Sequence, residues 1–405
     1  MAGQFISPAG DLERMFVDDY EMIDQYAKTG SLWLWGGTNT NGQLGVNANG
    51  NPRRSSPVQT ISGGTNWKSV ALASSQNVHQ AAIKTDGTLW LWGGIGVGEL
   101  GNNAQTSRSS PVQTVSGGTN WKQVTVGYFS TAALKTDGTL WTWGYNVDGQ
   151  LGNNTTASKS SPIQTISGGT NWKQVSLGNY HIGAIKTDGT LWMWGNGNGQ
   201  GSLGSSNNLV SSPIQTVSSG TNWKSVSCGA NVTGAIKTDG TLWTWGSNGS
   251  GELGDNTITN RSSPVQTVAA GNNWKQVSMS QSCCSAIKTD GTLWSWGTGD
   301  AGSLGDNTIL AKSSPVQTVS GGTNWKQVAR GWKGAVAIKT DGTLWTWGNN
   351  STGQLGNSTG GASTDKSSPV QTVAGGTNWK QVSSSGPDLQ AAIYFYDAGN
   401  LYPSA

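Results

Sequence analysis

The sequence predicts an all-β fold: a seven-bladed β-propeller of four-stranded blades, closed by N- and C-terminal strands that share one blade. Three repeated strings predict it. SSP(V/I)QT recurs with its proline at Pro57, Pro111, Pro162, Pro213, Pro264, Pro315 and Pro369, at spacings of 54, 51, 51, 51, 51 and 54 residues. An Asn-Trp-Lys follows each time, at Trp67, Trp121, Trp172, Trp223, Trp274, Trp325 and Trp379. LWxWG appears seven times, from Trp33/Trp35 to Trp345/Trp347. Units of about 50 residues carrying four short strands read as propeller blades.

The strands follow in order. NWKQVS is the first, A. AAIK or GAIK is B. TLWTW is C, and alternation puts both of its tryptophans on one face. KTDGT joins B to C, with Asp-Gly between apolar runs as the hairpin signal. SPVQTV is D, with the proline expected to open it, where a missing N–H is tolerated. The glycines of GQLG are expected at positive φ or at close backbone approaches.

Phase gives the blade count. Complete A–B–C–D units begin at Trp67, Trp121, Trp172, Trp223, Trp274 and Trp325. The C-terminus adds an A strand at Trp379 and a B strand around 391–394. The N-terminus supplies the missing C (31–36) and D (57–61). Residues 27–405 therefore form the propeller, and 1–26 a separate acidic segment.

Composition agrees. Of 22 Trp, 21 belong to the repeated strings, and only Trp332 lies outside them. Such a chain does not resemble a disordered linker. Mean hydropathy is −0.40 and no long apolar run occurs, so membrane insertion is not expected. Charged residues are 11% of the chain, against roughly 25% on average. Residues 1–26 hold one base and six acids, net −5; the rest holds 23 bases and 15 acids, net +8. That excess is dilute, and no nucleic-acid partner is expected. The N-terminus carries no secretory signal pattern, and three cysteines form no CxxC, which fits a reducing site of synthesis.

GGTNTNGQLG, GYNVDGQLG and GNNSTGQLG, each after a Trp-rich strand, resemble the regulator of chromosome condensation repeat, over roughly residues 27–405. That resemblance implies a seven-bladed propeller. The near-verbatim units, with NWKQVS and SPVQT, are also similar to propellers of this family encoded by marine bacteriophages. This second resemblance implies a non-enzymatic virion component, on tail or capsid, made in the host cytoplasm. Its partners would be other virion or scaffold proteins, or a host surface receptor or glycan. The alternatives are a cytoplasmic regulatory binding module, for which guanine-nucleotide exchange is doubtful, and a lectin-like receptor binder.

No catalytic, cofactor or metal residues are nominated. Gly199–Gly204 satisfies GxGxxG but lacks the strand–turn–helix context of a dinucleotide site. Cys283 and Cys284 read as small buried residues. His79 and His181 have no His at the equivalent place in the other blades, and no Ser–His–Asp arrangement is evident. Nineteen of 24 bases fall at fixed positions, read as solvated rims that pair locally with the KTDG aspartates or as an annulus for an acidic partner.

Loop variation within the chain locates the candidate site. The B–C and D–A loops are nearly constant, whereas the A–B and C–D loops differ in every blade. Strand parity puts the latter two on one face. Tyr128, Phe129, Tyr180, His181, Asn231, Trp332 and Lys333 are the expected partner-binding residues there. Leu12, Met15, Phe16, Ile23 and Tyr26, at helix-like spacing among acids, form a second expected docking segment.

Overall fold

A computed structural model describes residues 30–395, apart from 38, 48–52, 62–63, 74–78, 95, 167–168, 217–219, 270, 320–321, 385 and 387–388. The expected docking segment, with Leu12, Met15, Phe16, Ile23 and Tyr26, lies outside the described residues. The described strands form seven antiparallel four-stranded sheets. Blade 1 runs outward from the axis as A (Trp67–Leu72), B (Gln80–Lys84), C (Leu89–Gly93) and D (Arg108–Gln113). Blades 2 to 6 repeat it, with A strands at Trp121–Val126, Trp172–Leu177, Trp223–Cys228, Trp274–Met279 and Trp325–Arg330. Blade 7 joins the two ends of the propeller: A (Trp379–Ser384) and B (Leu389–Phe395), then C (Gly30–Gly36) and D (Arg54–Gln59) from the N-terminal side. The closing pair is in register from Gly30 opposite Phe395 to Gly36 opposite Leu389.

One expectation about strand D is corrected. The proline does not open it. In six blades D begins three residues earlier, at the base, as in Arg108–Gln113 with Pro111 fourth; in blade 3 it begins at Leu209, four residues before Pro213. The strand tolerates the missing N–H because D is the outer edge, and the register with strand C slips at this point.

The tryptophans set the distance between blades. The second Trp of each LWxWG is fully buried. Its indole N–H donates to a backbone carbonyl in the G-x-L-G loop of the preceding blade, as Trp194 does to Gln150, at 2.7–3.0 Å in all seven cases. The last glycine of that loop lies directly under the indole. At Gly152, φ is +64° and an added Cβ would lie 2.7 Å from Trp194 Nε1. Glycine is needed there for both reasons.

A second belt runs around the axis. Strand A has no neighbouring strand on its inner side, so its backbone groups need other partners. The Gln and Ser of NWKQVS supply them. Gln123 Nε2 donates to the Val175 carbonyl and its Oε1 accepts the Val175 N–H. Ser176 Oγ accepts the Cys228 N–H. Equivalent bonds link blades 7 to 1 and 5 to 6. Blade 1 departs twice, with Ser69 for Gln and Ala71 for Ser, and Ser69 Oγ is buried without a partner. Blades 4 and 6 depart once each, at Ser225, whose Oγ is likewise unpaired, and at Ala329, which replaces the Ser.

The constant face is built from the KTDGT turn. Asp137 Oδ1 accepts from the amide and hydroxyl of Thr139, whose Oγ1 accepts from Trp141 Nε1. These Thr139 bonds, aided by Lys135 and against slight desolvation, hold the Asp137 carboxyl below its ordinary range. The KTDGT lysines stand over two tryptophans of their own blade, at 4.1–5.0 Å in six blades. Six of the repeated bases are thus cation–π partners rather than free rim charges. The NWK lysines remain exposed.

Completing the inner belt between blades 1 and 2 should stabilise the ring. We expect the double variant Ser69→Gln, Ala71→Ser to gain on the order of 1–2 kcal/mol in urea unfolding. An unchanged midpoint would show that the belt contributes nothing there.

Candidate functional site

On the individualised face, the A–B and C–D loops of a blade are tied together. The amide just after strand C donates to a carbonyl of the A–B loop: Tyr145 to Phe129, Asn196 to Tyr180, Ser247 to Asn231 and Asn349 to Lys333, at 2.8–2.9 Å. The two variable loops therefore present one surface.

Tyr128, Phe129 and Tyr180 come together at the boundary of blades 2 and 3, each half-buried. Tyr128 meets Tyr180 edge-on at 5.7 Å, and Phe129 meets Tyr145 at 6.0 Å. Tyr145 completes this cluster and was not among the expected residues. Comparing the residue after each LWxWG would have found it, because it is the one aromatic at that place. Asp148 lies beside the cluster and accepts from Asn196 Nδ2 at 3.0 Å. Burial, and then Tyr128, Asp148 and Tyr145, push the Tyr180 phenol above its ordinary range. Asn231, half-buried in blade 4, is held by Asn198 Nδ2 at 3.3 Å.

Trp332 and Lys333 belong to blade 6 and stand apart from this cluster. The Lys333 ammonium lies 5.4 Å from the Trp332 ring. Trp332 borders an axial cavity of about 180 Å³ to which all seven A strands contribute. The expected residues thus do not form one cluster: Tyr128, Phe129 and Tyr180 group together, Asn231 contacts Asn198, and Trp332 and Lys333 lie in blade 6.

His181 is a correction. It is 1% exposed, so no partner reaches it. Its Nε2 bonds Thr233 Oγ1 at 2.9 Å, and His79 bonds Thr131 likewise. Each threonine hydroxyl donates its hydrogen to a loop carbonyl of the blade that carries the histidine. The histidine must therefore be the donor, with its proton on Nε2. Nδ1 is buried without a partner in both. These histidines are neutral inter-blade rivets. Cys283 and Cys284 are buried, as the sequence suggested.

Among the described residues, no three His, Cys, Asp or Glu side chains gather as a metal site. No helix there is long and apolar enough to cross a membrane.

Residues 31–388 match the family model of the RCC1-like domain. The ultraviolet-B receptor UVR8 of Arabidopsis thaliana is 30% identical over 272 residues, covering 66% of this chain and 61% of the receptor. The mitochondrial RCC1 domain-containing protein RUG3 of the same plant is 28% identical over 308 residues, covering 71% and 67%. The chain thus spans about three fifths of the receptor's length. Among solved structures, Prp20p of Saccharomyces cerevisiae, described with its binding to Gsp1p and histones, superposes with a TM-score of 0.80 at 20% identity, covering 92% of this chain and 94% of that one. That likeness is one of fold.

Burial lowers both histidines to about 4 from 6.5, with Glu99 partly opposing this at His79. A depressed histidine adds protein stability that is complete above about pH 6.5 and is lost as pH falls toward 4. The loss is on the order of 3 kcal/mol per histidine. We expect His79→Val, His181→Val to flatten the stability profile between pH 6.5 and 4. Val232, at the equivalent place in blade 4, shows that the fold accepts valine. Urea midpoints across that range check this.

Proposed function

The chain belongs to the RCC1-like domain family, and from that premise we propose that it is a non-catalytic interaction module that recognises a protein partner through its individualised face. The observation that carries this is the contrast between the two faces. One repeats the same Asp–Thr–Trp–Lys turn in six blades, whereas the other carries different loops in each. The half-buried aromatics at 128, 129, 145 and 180 provide rigid contact area of the kind that anchors interfaces. Binding of other proteins by a family member, as described for Prp20p with Gsp1p and histones, supports the regulatory form of this reading.

A virion component displaying these loops is a more specific form of the same reading. It rests on the similarity of the near-verbatim units to phage-encoded propellers. Mass spectrometry of purified particles tests it, and absence from virions would remove it.

The interaction reading is tested by Tyr128→Ala, Tyr180→Ala, Trp332→Ala in one chain. We expect the triple variant to keep its circular dichroism spectrum and to lose partner affinity by at least about 30-fold, measured by biolayer interferometry on partners captured with the wild-type chain. Equal affinity would move recognition off this face. Binding to a glycan array through the same residues would favour a receptor-binding lectin.

A further inference from the structure

The last position of strand A differs in chemistry from blade to blade. Leu72, Val126, Leu177, Cys228 and Met279 hold it in blades 1 to 5, and Ser384 in blade 7. Blade 6 places Arg330 there, beside the axis and only 4% exposed. Its Nη1 donates to the Ser303 carbonyl at 2.5 Å, and Nη2 touches Cys283 Sγ. Its Nε is buried and has no acceptor. Among the described residues, no ion pair involves Arg330 and no carboxylate lines the adjoining cavity. A guanidinium remains charged at any working pH, so a buried one needs a counter-charge.

The cavity beside it is polar. Thr125, Ser176, Ser227, Ser278 and Ser383 line it. Each of these hydroxyls accepts a backbone N–H from the next blade. Each therefore keeps its own hydrogen to donate. A ring of hydroxyl donors beside an uncompensated guanidinium is the chemistry of an oxyanion site. The space of about 180 Å³ far exceeds the ~30 Å³ share of one water.

We propose that the axial cavity binds one small oxyanion, a phosphate or a carboxylate, with Arg330 as its counter-charge and the seryl ring as its donors. The site does not depend on which protein the loops recognise. Arg330 and Trp332 both line this cavity, so its occupant borders the individualised face.

The test is isothermal titration of the full chain with inorganic phosphate and, separately, acetate, in a buffer free of other multivalent anions, with thermal unfolding in parallel. We expect one saturable site and a raised Tm with at least one of the two, the tighter of which identifies the headgroup chemistry. Arg330→Met should weaken binding about tenfold or more while unfolding cooperatively. Met279 holds the same position one blade earlier, so the fold accepts that side chain. Absence of binding by both anions, or equal binding by Arg330→Met, would overturn the proposal. Cys283→Ser should still bind. If phosphate bound only to Cys283→Ser and not to the wild type, the cysteine sulfur would be the counter-charge and the proposal would fail.

Discussion

Seven indole N–H groups, one per blade, each reach a backbone carbonyl on the preceding blade, and the spacing of the ring follows from that reach. The indole is long enough to cross the gap, rigid enough to fix its length, and apolar enough to fill the space it crosses. The G-x-L-G loop must then bring its carbonyl to the indole with no side chain between them, which only glycine allows. Strand C must present both tryptophans on one side. The regularity of the 51-residue unit is the sequence expression of this single contact repeated.

With blade spacing fixed, the remaining polar groups divide by location. Turns on the constant face satisfy themselves within one blade and against the next loop. Inner strand edges are satisfied by side chains from the neighbour. The same Lys, Asp, Gln and Ser that look like ordinary solvent-facing polar residues in the sequence are mostly structural. The repeated lysines of KTDGT illustrate this, since their charge faces tryptophan rings.

The fold was legible because the strings recur in phase, and the closing blade was legible because one unit was missing its C and D strands at one end and its A and B strands at the other. The start of strand D was misread because proline usually marks an end, whereas an outer edge strand with a bulge admits it inside. The candidate face was legible from loop variation, yet His181 was misassigned. Its position in a variable stretch gave no sign that the ring turns inward to a threonine 52 residues away. Arg330 and Tyr145 were hidden for a related reason. Each departs from its repeat at one position, and only a column-by-column comparison of the seven units, rather than a search for motifs, makes such a residue stand out.

The missing belt bonds between blades 1 and 2 bear on how such a ring fails. Covalently, the ring is open in blade 7, where its first and last strands meet, yet that joint has a full register of backbone bonds, both belt contacts to blade 1 and the glutamine contact from blade 6. The chain is continuous at the junction of blades 1 and 2, but there the inner hoop is cut and the joint relies on outer contacts. A hoop under strain parts where its cross-section is thinnest, not where its ends were joined. Any breathing motion that widens the axial channel, and any proteolytic or mechanical opening that follows it, should therefore start between blades 1 and 2, on the opposite side of blade 1 from the terminal closure.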